Sequence, residues 1–209
     1  LSTHVDFKIL PENCFKNCSS LTSISIGNNI NTIEQSCFED CTTLSSVTLP
    51  SSNSSFTSLP INCFKSCSQL STISIPETVT SFGNSAFNAC GLTSISFPSY
   101  ITAVGTNCFQ GCSSLSTVTI KNSSTLTVMQ SSAFSGLTQS ITISFLNTTA
   151  YSDLSTQLKA YFQNPAQTPF TYQFTVIPNT TTIINYSNGT KRYITGTTVS
   201  SSDVVLNPT

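Results

Sequence analysis

Six copies of one apolar pattern run through the first two-thirds of this 209-residue chain, and no feature constrains its fold more. The first copy reads Cys14-Phe15-x-x-Cys18-x-x-Leu21-x-x-Ile24-x-Ile26. It returns as Cys37-Phe38…Cys41…Leu44…Val47…Leu49, as Cys63-Phe64…Cys67…Leu70…Ile73…Ile75 and as Cys108-Phe109…Cys112…Leu115…Val118…Ile120. A fourth-place copy, Ala86-Phe87…Cys90…Leu92…Ile95…Phe97, is one residue shorter, and the sixth has decayed to Ala133-Phe134…Leu137…Ile141…Ile143. The phenylalanines are 23, 26, 23, 22 and 25 residues apart. Apolar residues also stand five and eight positions before each Phe, as at Leu10 and Phe7, Ile33 and Ile30, Leu59 and Phe56. A unit this short cannot bury its own apolar face, but stacked copies bury a continuous one. The period therefore predicts a solenoid.

Within each copy Ile24 and Ile26 alternate with Ser23 and Ser25, the period of a half-buried strand. Stacked in parallel, these strands make a sheet of about six. The two cysteines of each block are four apart with Leu three beyond, a spacing that suits one helical or 3-10 turn. Pro50, Pro76 and Pro98 follow their strands and end them, and Gly27, Gly83 and Gly105 fall at bends. The fold class expected is a leucine-rich-repeat solenoid of the α/β repeat class. Its strands form one face, short turns and extended segments form the other, and a β-rich cap closes the C-terminal end.

The motif resembles the BspA-like, or treponemal-type, class of leucine-rich repeats. Ala86-Phe87…Cys90…Leu92…Ile95…Phe97-Pro98 with Val79-x-x-Phe82-Gly83 carries the resemblance, which the other copies share over about residues 5–146. The resemblance implies that the Leu-x-x-Ile-x-Ile strands line a concave face. It also implies a surface adhesin that binds host matrix or cells, on bacteria or on mucosal protozoan parasites of the trichomonad and entamoeba type. The Asn-x-Ser/Thr sequons tilt the reading toward the protozoan branch.

Two units follow: repeats over 1–146 and a cap or short β-rich module over 147–209. In the second, Leu154, Leu158 and Phe162 are four apart, which predicts a helix over about 152–162 ended by Pro165. Phe170 to Ile177 alternates as a strand, and Ile183–Tyr186 and Tyr193-Ile194 flank Asn188-Gly189 as a hairpin. Thr195 to Thr209 also reads as a stalk toward an anchor elsewhere. The chain opens without Met and is read as a mature or trimmed fragment.

Only 7% of residues are charged and the net charge is −1, against about 25% charged in an ordinary domain. No basic patch suits nucleic acid, and no apolar run reaches the ~18 residues of a membrane span. Solubility rests on Ser, Thr and Asn. The sequons Asn53, Asn122, Asn147, Asn179, Asn185 and Asn188 are glycosylation candidates, while Asn17 sits inside the Cys-Phe block. Together these point to an extracellular or cell-surface glycoprotein.

The nine cysteines invite disulfide, metal and buried-thiol readings. Cys-x-x-x-Cys around Phe is not the usual zinc spacing, and nine is odd. Ala takes the first Cys position at 86 and 133, as a small core filler would. Buried thiols are the favoured reading, with no metal and no cofactor. Catalysis finds no footing. His4 stands alone, and the eight acidic residues, including an adjacent Glu39-Asp40 read as solvated, fall at unrelated repeat positions.

The outward strand positions are uniform. Ser23, Ser25, Ser46, Thr48, Thr72, Ser74, Ser94, Ser96, Thr117, Thr119, Ser140 and Thr142 are all hydroxyl residues. Each hydroxyl can donate and accept. This surface is the candidate ligand-binding face for protein or glycan on host or neighbouring cells. Exposed Tyr100, Tyr151, Tyr161, Tyr172, Tyr186 and Tyr193 are alternative anchors. The function expected is a non-enzymatic recognition module that acts in cell adhesion. The alternatives are a rigid spacer displaying another domain and ice-type lattice binding by the Ser/Thr face. A homodimer through an end coil or the convex side is compatible with the low charge.

Overall fold

The structure, a computed structural model, describes residues 7–121, 126–130, 132–139 and 141–145, together with the backbone of strands at 170–174, 182–183, 185–186 and 194–195. The helix expected over 152–162 lies outside the described residues, as does His4.

Six coils stack in register. Each opens on a two-residue strand: β1 (Ile9–Leu10), β3 (Thr32–Ile33), β5 (Ser58–Leu59), β6 (Ser81–Phe82), β8 (Ala103–Val104) and β10 (Val128–Met129). Five of the coils then carry a longer strand: β2 (Ser23–Ser25), β4 (Ser46–Thr48), β7 (Ser94–Phe97), β9 (Thr117–Ile120) and β11 (Ile141–Phe145). Equivalent strands of successive coils pair in parallel, as Ile24 with Val47 and Ile95 with Val118. The expected parallel solenoid is therefore present. Beyond the repeats, β12 (Phe170–Phe174) adds to β11 in parallel, and β14 (Asn185–Tyr186) pairs antiparallel with β12. β13 (Thr182–Ile183) pairs antiparallel with β15 (Ile194–Thr195).

The Cys-Phe blocks are not helical, and no helix occurs among the described residues. The N–H of Cys14, Lys16 and Cys18 donates three residues back, whereas Asn13, Phe15 and Asn17 donate to Gln35, Cys37 and Glu39 of the next coil. Alternate donors thus serve the turn and the stack. A helix would keep every donor inside its own segment. The geometry has φ > 0 two residues either side of the first five repeat Phe, at Asn13 and Asn17, Ser36 and Asp40, Asn62 and Ser66, Ser85 and Ala89, Asn107 and Gly111, and after Phe134 at Gly136. Gly, Asn and Asp tolerate that region best. Their recurrence at these positions was the sequence signal against a helix.

The core is a column running the length of the stack. Phe15, Phe38, Phe64, Phe87, Phe109 and Phe134 stack at centroid spacings of 5.3, 5.3, 5.7, 5.5 and 5.0 Å, with planes within 15°. Phe82 meets Phe87 and Phe97 edge-on. The second cysteine of each block completes the joint. The Cys41, Cys67, Cys90 and Cys112 thiols donate to the carbonyls of Phe15, Phe38, Phe64 and Phe87 at 2.8–3.2 Å. All nine cysteines are free thiols. Burial pushes Cys37 and Cys112 up to about 12 and Cys41 to about 11, which keeps them protonated and unreactive. Only Cys14 is exposed and only Cys18 is half-buried. A thiol-reactive dye on the native protein should therefore label Cys14 first and Cys18 more slowly, with the other seven requiring denaturant. Rapid labelling of more than two would contradict this packing.

Coil 3 breaks both sheets. The short strands divide into β1-β3 and β5-β6-β8-β10, and the long ones into β2-β4 and β7-β9-β11-β12-β14. The segment Thr72–Ile75, expected as a strand, forms none, so the expected continuous sheet is two sheets with a gap. Coil 3 has the longest Phe-to-Phe interval, with its extra residues between β4 and β5, and coil 4 is a residue short at Cys90-Gly91-Leu92. These two length changes fall on either side of the gap. The Cys-Phe side stays continuous across it, through Ser36, Phe38 and Asp40 donating to Ile61, Cys63 and Lys65.

Glu39 corrects a second expectation. It is 5% exposed rather than solvated. Lys65 of coil 3 meets Oε1 at 2.8 Å and Lys16 of coil 1 meets Oε2 at 2.9 Å. Burial would raise its pKa, but hydrogen bonds from Lys65, Lys16 and Ser36 more than offset this and lower it to about 2. One carboxylate thus clamps three coils.

Candidate functional face

The long strands hold their outward hydroxyls in two columns. Ser23 stands beside Ser46, Ser94 beside Thr117, and Thr117 beside Thr142. Ser25 stands beside Thr48, Ser96 beside Thr119, and Thr119 beside Ser144. In coil 6 the columns therefore run through Thr142 and Ser144, two residues later than the expected Ser140 and Thr142. Ser140 lies outside the described residues. Ser144 escaped the sequence reading because the sixth copy is longer after Leu137, and it is only 8% exposed.

Exposure is greatest over coils 1–4. Ser23, Ser25, Ser46, Thr48, Thr72, Ser74 and Ser94 are exposed, whereas Ser96, Thr117, Thr119 and Thr142 are half-buried. None of the first seven, nor Ser96, Thr117 or Thr119, makes a side-chain hydrogen bond among the described residues. The hydroxyls just before the strands behave differently. Ser45, Thr93 and Ser116 each donate to the carbonyl of Thr22, Ser71 or Thr93 in the coil before. Stapling thus falls to the position before the strand, and among the described residues the outward positions of coils 1–5 keep both hydrogen-bonding functions for solvent or a ligand.

The gap deepens the middle of this face. Thr72, Ile73, Ser74 and Ile75 make no backbone hydrogen bond among the described residues. An open depression of about 450 Å³ lies over them, lined by Ser45–Val47, Thr72–Ser74 and Ser94–Ser96. No lining residue is charged. The nearby ion pair of Lys121 with Glu77 stands beyond the strand ends, where Glu77 also accepts from the Ser99 N–H. Tyr100 is 63% exposed just past β7 and remains an available anchor. Tyr151, Tyr161 and Tyr193 lie outside the described residues, and only the backbone of Tyr172 and Tyr186 is described.

No group of three or more His, Cys, Asp or Glu among the described residues could hold a metal ion. Among them, too, no helix is long and apolar enough to cross a membrane. The Asn53 amide nitrogen donates to the Ile30 carbonyl at 2.8 Å and to Asn31 Oδ1 at 3.0 Å, so a glycan there would displace one of these bonds. Asn122, Asn147, Asn179 and Asn188 lie outside the described residues, and Asn185 is described only as backbone.

The family model for the BspA-type leucine-rich repeat region matches residues 2–59 and 57–187, in six copies. The chain belongs to this family. Among solved structures, a leucine-rich repeat protein from Bacteroides ovatus is similar at a TM-score of 0.55 and 25% identity, over 66% of this chain. The chain spans only 37% of that protein. The leucine-rich repeat protein of T. pallidum shares the fold at a TM-score of 0.51 and 21% identity, over 73% of each chain. No curated protein matches. BspA-type repeats are typically protein-interaction modules rather than enzymes.

Proposed function

We propose that this BspA-type chain is a cell-surface or secreted adhesin that binds host or neighbouring cells, or their matrix, through its long-strand face. The observation that supports the reading is the outward hydroxyls of coils 1–5, which make no side-chain hydrogen bond among the described residues, beside Ser45, Thr93 and Ser116, which staple coil to coil. Without charge, and without the Trp, Tyr or Arg that anchor tight interfaces, such a face binds weakly per site. Its strength comes from many copies presented together. Glycosylation at the sequons beyond the described coils belongs to the same proposal. So does self-association through coil 1, where Phe7 and Ile9 are exposed and Phe15, Leu21 and Ile24 are half-buried.

Attachment of purified, glycan-free chain to epithelial cells and matrix proteins tests this. The informative variant is Ser23→Glu, Thr72→Glu, Thr117→Glu. Alternate coils keep the new carboxylates about 10 Å apart, near the screening length, so the stack tolerates them. We expect attachment to fall at least tenfold. Attachment no better than that of a scrambled-repeat control would reject the adhesin and favour the spacer.

A further inference from the structure

We propose that the depression over coil 3 is a binding site for a neutral saccharide. The inference rests on the reading of the long-strand face as a recognition surface and names the chemistry that its centre fits. Everywhere else along this face, strand backbone pairs with strand backbone. At Thr72–Ile75 it pairs with nothing among the described residues, although β4 and β7 stand on either side. A buried or half-buried backbone polar group without a partner is costly. Ile73 is half-buried and Ile75 buried, so their unpaired backbone marks a place where a ligand or water supplies the missing bonds.

The flanking strands decide what kind of ligand. An added peptide strand needs a free sheet edge along which to lie. Coil 3 has no such edge, because coils 2 and 4 occupy both sides of it. Single hydroxyls, each able to donate and accept, can reach in from the open face. The side chains around the gap have the same character. Ser46, Thr72, Ser74 and Ser94 offer hydroxyls, and the half-buried Ile73 is the apolar residue of the lining that reaches the surface. With no charged group in the lining, neutral sugars fit and sialic or uronic acids gain nothing. The volume of about 450 Å³ lies within the ~300–1,000 Å³ range of small-ligand sites. No aromatic ring lines it, which sets the affinity near the millimolar range, about −4 kcal/mol.

Amide hydrogen exchange on the intact chain reads this site directly. The probes are glucose, galactose, mannose, N-acetylglucosamine and N-acetylgalactosamine, with sialic acid and a neutral Ser/Thr-rich peptide as controls. For at least one neutral sugar at ten times its Kd, exchange at Thr72–Ile75 should slow about tenfold. The effect should disappear in Thr72→Val, Ser74→Val, whose β-branched residues keep the extended backbone, and persist in Ser23→Val, Ser25→Val. No slowing by any of the five sugars would overturn the proposal. So would protection by the peptide alone, or by sialic acid as strongly as by the neutral sugars. Cell attachment of the same preparation separates the two readings. Attachment without sugar protection removes only the saccharide site, and sugar protection without attachment removes only the adhesin.

Discussion

Phe64→Ala should cost about 3–5 kcal/mol and split unfolding into two steps. Phe64 is fully buried and stacks on Phe38 at 5.3 Å and on Phe87 at 5.7 Å. Each such contact adds roughly 0.5–1.5 kcal/mol to simple burial. Its position matters more than its size. Both sheets are interrupted at coil 3, so coils 1 and 2 hold to the rest through the Cys-Phe ladder, the Phe38–Phe64 stack, the Cys67 thiol, the Glu39 clamp and the side-chain bonds of Asn62 to Ser36 and Ser68 to the Thr42 carbonyl. In a stack whose units couple only to neighbours, loss of one coupling separates the two sides. Exchange measured coil by coil should show the amides of coils 1 and 2 opening well before those of coils 4–6. Phe109→Ala removes an equal volume where β8 and β9 are paired on both sides, and it should lower stability without splitting the transition. A single cooperative step in Phe64→Ala would show that the interrupted sheets do not weaken the junction.

Removing the Glu39 clamp should have the next largest effect. Glu39→Ala should cost about 2 kcal/mol, less than the ~3–5 expected for a fully buried pair, because Lys16 and Lys65 are each 36% exposed and water takes them back. The acid dependence has a defined sign. The folded pKa of Glu39, about 2, lies below its ordinary value of 4.5. Its contribution is therefore complete above pH 4.5 and is lost as pH falls toward 2. The shift corresponds to roughly 3 kcal/mol at most. Urea midpoints of the native chain and Glu39→Gln should differ at pH 6 and converge near pH 2. Parallel acid limbs for the two proteins would show that Glu39 does not carry this dependence.

Legibility of the fold followed the periodicity. A pattern repeated six times in register leaves one way to bury Phe15 and its equivalents, so the coil, its strands and the phenylalanine column could be read from spacing alone. The readings that failed depended on what lies between coils. Cys-x-x-x-Cys with Leu three beyond fits a helical turn as well as it fits linked turns with left-handed residues. Only the alternating donors decide, although Asn13, Asn17, Gly111 and Gly136 pointed the way. Glu39 looked solvated because its partners, Lys16 and Lys65, are 23 and 26 residues away. The outward hydroxyls of the face were legible from strand alternation, except in coil 6, where a longer turn shifted the register to Thr142 and Ser144. The gap at coil 3 was not legible. The extra residues near Asn53 were visible, but nothing local says whether an insertion bulges into solvent or unpairs the neighbouring strand.

The most direct measurement of recognition by the long-strand face compares attachment to epithelial cells for three folded proteins. These are the native chain, the face variant Ser23→Glu, Thr72→Glu, Thr117→Glu, and a variant with the same added charge at exposed turns outside the sheets, Ser20→Glu, Gln69→Glu, Ser114→Glu. The expected result is attachment by the native chain and the turn variant, with at least a tenfold loss in the face variant alone. Equal attachment by all three would contradict the assignment of recognition to this face.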